Sequence, residues 1–396
     1  MMRIATAHAY DQTIARLSER QRDLVQTQAH ISSNKQILRA SDDPVNAARA
    51  ERAMATIARS EAGLRSVDAS RNAMTQAESA LGDATELLQR ARELVVASGD
   101  AAYGDSQRDA LAGQIRDLRA QLLTIANRGD GAGGYLFAGQ GSSAPPFADA
   151  AGGVQYTGTP GAAMAGPGLP MTLDGAATWL TAPTGNGVFE TRVGVATGNA
   201  WIDGGRVADP AALTGSSYAI SFNVVAGVTT YSVLENGLPT ALVDVPYVDG
   251  QAIEFDGISV TVKGAPAAGD RFDIAPSTPT LSVFDLLDRA ALDLATPLRS
   301  DGQIHQSTAS QLRDIDSVLT RMGMVRAGTG EALTAIDAAQ GRLDESAFQG
   351  EVERSAAEDL DLVSALSSLQ TQQTAYETAL QAYASVQRLS LFDYIR

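Results

Sequence analysis

Apolar side chains recur at alternating intervals of three and four at both ends of the chain. Near the start they fall at Ala7, Tyr10, Ile14, Leu17, Gln21, Leu24, Gln28 and Ile31. Near the end they fall at Leu362, Leu366, Leu369, Gln373, Tyr376, Leu380, Tyr383, Gln387 and Ser390. Such spacing lays a seam along one side of a helix, where it is buried against another helix. Both seams are thin, flanked by polar residues and interrupted by glutamine. Neither arm supplies a core of its own, so each is expected to find its partner in the other arm or in a neighbouring subunit.

Between the seams the texture changes twice. Ser41-Asp42-Asp43-Pro44 interrupts the first seam, and Asp42 or Asp43 can cap a following helix with Pro44 in its first turn, where a missing N–H costs nothing. That helix is predicted over 44–97, with Ile57, Leu64, Val67, Met74, Leu81 and Leu88 along one side, and Ser98-Gly99-Asp100 ends it. A third helix, 105–128, carries Leu111, Ile115, Leu118, Leu122 and Ile125 at heptad spacing. From 127 to 280 the chain is rich in Gly, Pro and Thr with short β-branched runs at 218–225, 229–234, 252–262 and 270–274. Ile253, Phe255, Ile258, Val260 and Val262 mark alternation, and Asn236-Gly237 and Asp256-Gly257 are turn signals.

Helix returns after Pro279. Leu281, Phe284, Leu287, Ala291 and Leu294 form a short amphipathic piece that Pro297 stops. A longer helix is predicted over 303–344 from Ile304, Ile315, Val318, Met322, Val325, Leu333, Ile336 and Leu343, with Gly323, Gly328 and Gly330 weakening its middle. A last helix covers 350–391. The fold class is therefore α+β: a long antiparallel helical rod or coiled coil formed by the N- and C-terminal arms, with an inserted all-β domain. The expected division is terminal helices 1–40 plus 360–396, disordered in the monomer and ordered on assembly; a helical rod domain 41–144 plus 281–359; and a β-rich outer insertion 145–280, with room for subdomains.

Composition narrows the function. With 396 residues, 44% of them apolar, the chain is long enough for a sizeable core, while 5% aromatics point to helices packed through Ala and Leu. Cysteine is absent, which excludes disulfides, thiolate ligands and a thiol nucleophile. Net charge is -16. Residues 1–144 balance at 17 basic and 17 acidic, whereas 145–280 hold 4 against 12 and 281–396 hold 9 against 17. That surface repels nucleic acid, and no basic stripe with interleaved aromatics offsets it. No apolar run is long enough to span a bilayer. Met1–His8 lead into the first seam without an apolar signal core, so any export is expected to proceed without a cleaved signal peptide.

Catalytic chemistry finds no foothold. His8, His30 and His305 lack a second ligand at helical spacing and read as surface positions. Gly131-Ala132-Gly133-Gly134 follows a helix rather than a strand and lacks Gly-Lys-Ser/Thr, so it reads as a junction rather than a phosphate cradle. Asp42-Asp43 and Glu358-Asp359 read as capping or solvated pairs, and Asp270 with Asp273 does not match a calcium loop. No catalytic residue, cofactor or metal is expected.

The ends carry a family resemblance. Met2-Arg3-Ile4-Ala5-Thr6 with Tyr10, Leu17, Gln21, Leu24 and Gln28, then Ile31-Ser32-Ser33-Asn34-Lys35-Gln36-Ile37 and Ser41-Asp42-Asp43-Pro44-Val45, resemble the N-terminal region and helix-loop-helix signature of the flagellin superfamily. Pro44, the segment Gly134-Tyr135-Leu136-Phe137-Ala138-Gly139 and the ending Leu389-Ser390-Leu391-Phe392-Asp393-Tyr394-Ile395 are more similar to its hook–filament junction family, hook-associated protein 3, than to flagellin. Arg396 echoes flagellin. Asn34 replaces a common glycine, and asparagine tolerates the same left-handed turn.

The resemblance covers about 2–147 and 300–396 and implies a structural adaptor of the bacterial flagellum, extracellular and exported unfolded through the flagellar channel. Implied partners are the first hook-associated protein, flagellin, neighbouring copies in a ring and an export chaperone, with no nucleic acid and no membrane insertion. The assembly interface would use Tyr10, Ile14, Leu17, Leu24, Ile31, Leu362, Leu366, Leu369, Tyr376, Leu380, Tyr383, Leu391 and Phe392, with Ser41, Asp42, Asp43 and Pro44 as the helix-loop-helix signature. Flagellin itself, or a helical-rod adhesin-like binding module, is the alternative reading.

Overall fold

A computed structural model describes the backbone of residues 2–100, 102–142 and 144–394, with side chains described from 11 to 385 within those limits. Among the described residues, seven α-helices and fourteen strands lie in two compact units, Met1–Arg65 with Ala339–Arg396, and Ser66–Ala338. The helices are α1 (Met2–Ser33), α2 (Pro44–Ser98), α3 (Asp105–Ala126), α4 (Gly175–Trp179), α5 (Val283–Ala295), α6 (Asp301–Glu358) and α7 (Leu362–Tyr394). Helices α2 and α6 each contribute to both units.

In the first unit α2 and α6 run antiparallel in close contact. Ala50, Ala53, Ser60, Gly350 and Ala357 are buried there. A Cβ placed on Gly350 would lie 2.8 Å from Ile57 Cγ1, and one on Gly63 would lie 2.9 Å from Leu343 Cδ1. Small residues permit that approach, which is why alanine, serine and glycine stand there opposite Ile57 and Leu343. Helices α1 and α7 pair antiparallel in the same unit, with the Thr27 hydroxyl donating to Gln372 Oε1 at 3.0 Å.

One expectation is corrected. The sequence suggested a break between 344 and 350, yet α6 continues to Glu358. Glycine weakens a helix by about 1 kcal/mol without forbidding it, and Gly350 is retained by its packing on Ala53 and Ile57. The chain breaks at Asp359–Asp361 instead, where Asp361 Oδ1 accepts from the amides of Val363 and Ser364 and starts α7.

The second unit has two cores. In the helical core the α3 heptad Leu111, Ile115, Leu118, Leu122 and Ile125 is buried together with α2, α5 and α6. An aromatic cluster closes it: Phe137 meets Trp179 edge-on at 5.3 Å, and Trp179 stacks on Phe284 at 6.0 Å. The strand pair β1 (Phe147–Ala150) with β2 (Gly153–Tyr156) borders this core, and a second pair is β3 (Met164–Gly166) with β4 (Leu169–Pro170).

The other core is made mainly by strands. These are β5 (Phe189–Val195), β6 (Trp201–Ile202), β7 (Arg206–Val207), β8 (Tyr218–Val225), β9 (Val228–Glu235), β10 (Leu238–Pro239), β11 (Val245–Pro246), β12 (Ala252–Phe255), β13 (Ile258–Lys263) and β14 (Arg271–Pro276). One sheet runs β10-β9-β8-β14-β5 with β11 on β9, and the other runs β12-β13-β6 with β7 on β13. Ile220, Phe222, Phe272 and Ile274 of the first meet Ile253, Val260 and Val262 of the second. Alternation therefore placed the inward face correctly. Both predicted turns are hairpins, with positive φ at Asn236-Gly237 and Asp256-Gly257.

Since Phe284 is fully buried between Trp179 and Phe147, Phe284→Ala should cost about 3–5 kcal/mol. Urea unfolding followed by tryptophan fluorescence, to which Trp179 and Trp201 both contribute, checks it.

Candidate assembly interface

The seams meet, but shallowly. On α1 the side chains of Leu17, Leu24, Thr27 and Ile31 are half-buried, and on α7 those of Ala365, Leu369, Gln372, Tyr376, Ala379 and Tyr383 are half-buried. Those six α7 positions form a heptad that is not quite the one read from the sequence. Leu362 (44%), Leu366 (46%) and Leu380 (39%) lie on an adjacent face and stay exposed, as does Ile14 on α1 (43%). Among the described side chains of α1 and α7, none is buried. Tyr10, Leu391 and Phe392 lie outside the described side chains. Helix α7 thus carries two apolar strips, one turned to α1 and one left uncovered.

The paired breaks between α1 and α2 and between α6 and α7 hold each other. The Gln36 amide donates to Glu358 O at 2.7 Å and the Leu360 amide to Asn34 O at 3.3 Å. Lys35 Nζ reaches Glu358 Oε2 at 2.8 Å, and the ring of His30 lies 3.0 Å from Lys35 O through Nδ1. Asn34 has φ 55, the left-handed turn that asparagine tolerates. Glu358 is buried rather than solvated as the sequence suggested, because Lys35 neutralises it and Arg354 Nη1 stands 3.8 Å away. Sequence reading missed the pairing of Lys35 with Glu358, since the two lie far apart in the chain and no periodicity links them.

The signature residues divide their work. Asp43 Oδ1 accepts from the Asn46 and Val45 amides, each at 3.0 Å, and so caps α2 with Pro44 in first place. Asp42 Oδ2 accepts from the Leu38 and Arg39 amides and shapes the loop. Ser41 is exposed. The Asn46 amide, joined by that of Val45, holds the Asp43 carboxyl below the ordinary carboxylate range.

The other motifs are structural. Asp130 Oδ1 accepts from the amides of Ala132 and Gly134, so those donors of the glycine-rich junction are already engaged. Asp270 accepts from Thr197, Gly198 and Ala267, while Asp273 pairs with Arg271 Nε at 2.6 Å; the two acids serve separate partners. Among the described residues no group of three or more His, Asp or Glu side chains is placed to hold a metal ion, and no helix is long and apolar enough to cross a membrane.

Residues 4–142 match the model of the bacterial flagellin N-terminal helical region, and residues 195–276 match that of the flagellar hook-associated protein 1, D2-like domain. The flagellar hook-associated protein 3 of Escherichia coli is 24% identical over 401 residues, 99% of each chain. The crystal structure of flagellar hook associated protein-3 from Legionella pneumophila superposes with a TM-score of 0.71 at 26% identity, covering 76% of this chain and 97% of that one. FlgL from Xanthomonas campestris gives 0.69 at 27% identity, covering 77% and 99%.

Because the folded Asp43 carboxyl is depressed, its capping contribution is present above the ordinary carboxylate range and is lost as pH falls through the lowered value. Protection of the Val45 and Asn46 amides, corrected for intrinsic exchange, should fall on acidification. Asp43→Asn, which keeps a cap without a titrating group, should flatten that dependence, and an unchanged pH profile would refute the assignment.

Proposed function

We propose, from the homology of this chain to flagellar hook-associated protein 3 of the flagellin superfamily, that it is a non-catalytic structural adaptor joining the flagellar hook to the flagellin filament. One observation carries the mechanism. Helices α1 and α7 bear apolar seams, yet none of their described side chains is buried within the chain. A helix pair of that kind gains most of its burial from neighbours, at roughly 0.8 kcal/mol for each methylene removed from water.

In this reading Leu362, Leu366, Leu380 and Ile14 are the uncovered contacts. Leu17, Leu24, Ile31, Leu369, Tyr376 and Tyr383 hold the pair together, with Tyr10, Leu391 and Phe392 extending the seams. The partners are the hook's first associated protein on one side, flagellin on the other and neighbouring copies in a ring, with an export chaperone covering the arms beforehand. The arms form one functional part, the helical pairs inside them a second and the β-rich region an outer third. Glutamines at 21, 28, 373 and 387 would fix register at some expense in stability. The site of action is the flagellum outside the cell.

Two results are expected. Amides of 11–33 and 362–385 should exchange quickly in the isolated chain and become protected at least tenfold after addition to isolated hooks. Leu366→Glu with Leu380→Glu should abolish hook attachment while leaving the urea transition of the second unit in place. Equal protection before and after addition, or full attachment of the double variant, would remove the proposal. A chain that elongates seeded filaments without limit would point to a filament subunit instead.

A further inference from the structure

In the first unit the outer faces of α2 and α6, turned away from each other, carry a second pair of seams. On α2 the positions Val45, Ala48, Arg52, Ala55 and Arg59 follow heptad spacing on solvent, and Val45 is 64% exposed. On α6 the positions Gly341, Glu345, Phe348 and Val352 do the same, with Phe348 61% and Val352 47% exposed. An aromatic ring left that open on a helix face is unusual in a chain with only 5% aromatics. On the opposite side of the pair, the exposed alanines Ala48 and Ala55 of α2 leave room for such a ring.

The flanking charges are opposite and unneutralised. Arg52 and Arg59 spend their Nε donors on Ala48 O and Ala55 O of their own helix, and neither has a carboxylate partner among the described residues. Asp344 and Glu345, beside Phe348, have no cation partner among the described residues; Glu345 accepts only from Gln349. One face is thus basic with shallow apolar positions, the other acidic with a projecting apolar pair. The two sit on opposite sides of one helix pair, so they cannot meet within a chain.

We infer that the α6 outer face of one copy docks on the α2 outer face of the next, Phe348 and Val352 seating at Val45, Ala48 and Ala55 while Asp344 and Glu345 face Arg52 and Arg59. A contact between two different faces is head-to-tail, and repetition closes a ring or winds a helix. The inference rests on the adaptor reading for the presence of several copies, and it names the lateral contact between them, separate from the α1 and α7 seams. Opposite charge sets the register, and the apolar pair supplies the burial.

The chain has no cysteine, so introduced thiols report contacts without background. Flagella carrying Phe348→Cys with Ala55→Cys, oxidised in place, should yield covalent species of two, three and more copies. Their yield should exceed that of Leu298→Cys, a more exposed control at 92%, by at least tenfold. Phe348→Cys alone should give no dimer. Separately, Arg52→Glu with Arg59→Glu should cut copies retained per hook at least fivefold, and adding Asp344→Arg with Glu345→Arg should restore them. Cross-linking at the control level, dimers from Phe348→Cys alone, or failure of the combined swap to restore retention would each overturn the inference. Should hooks still join filaments in that case, the adaptor reading survives without it.

Discussion

Where Gly350 passes Ala53 and Ile57, and Gly63 passes Leu343, α2 and α6 come so close that an added Cβ would crowd the Ile57 or Leu343 side chain. That approach is the constraint on which the first unit depends. It joins two segments nearly three hundred residues apart, and the chain-closure entropy is repaid only because many small contacts form together. Once this pair is fixed, the two breaks at 34–43 and 359–361 arrive side by side, so that Gln36 can bond Glu358 and Leu360 can bond Asn34. Helices α1 and α7 then start as neighbours. The shallow seam between them survives because it begins from an anchored origin, which lowers the cost of ordering each further turn.

A substitution at Gly350 would therefore act at a distance. Larger side chains there would part α2 from α6, and the Lys35–Glu358 pair, part-buried and charge-neutral as found, would lose its geometry. Isolated, the buried Glu358 carboxylate would be poorly solvated. The helix-loop-helix signature thus has two kinds of residue. Asp43 and Pro44 start a helix locally, whereas Asn34 and Lys35 couple the start of the chain to its end.

Local rules made much of this legible. The α3 heptad, the Asp43-Pro44 start and the turns at Asn236-Gly237 and Asp256-Gly257 each declare themselves within a few residues, because capping, periodicity and left-handed φ are short-range physics. The turn at Ala226-Gly227 escaped notice because alanine seldom takes φ near 52. The continuity of α6 was hidden for a different reason. Gly341 and Gly350 look like breakers until a partner helix explains one of them. Burial of Glu358 was invisible since only a lysine from the far end of the chain makes it tolerable. Two strips on α7 were merged into one because Leu369, Tyr376 and Tyr383 fit both spacings, and only the position of α1 separates them.

That separation bears on how the ends work. Between 362 and 385, α7 has a single charged residue, Glu377, whereas 11–33 of α1 hold Asp11, Arg16, Glu19, Arg20, Arg22 and Asp23. Serine, threonine and glutamine can be covered with their hydrogen bonds re-formed, at far less expense than burying ions. Helix α7 is thus suited to being enclosed on several sides and α1 on one. Exposed Leu362, Leu366 and Leu380 lie on a face where Glu377 is the one charge to desolvate. An element left half-finished inside one chain is what a subunit needs if its completion is to depend on its neighbours.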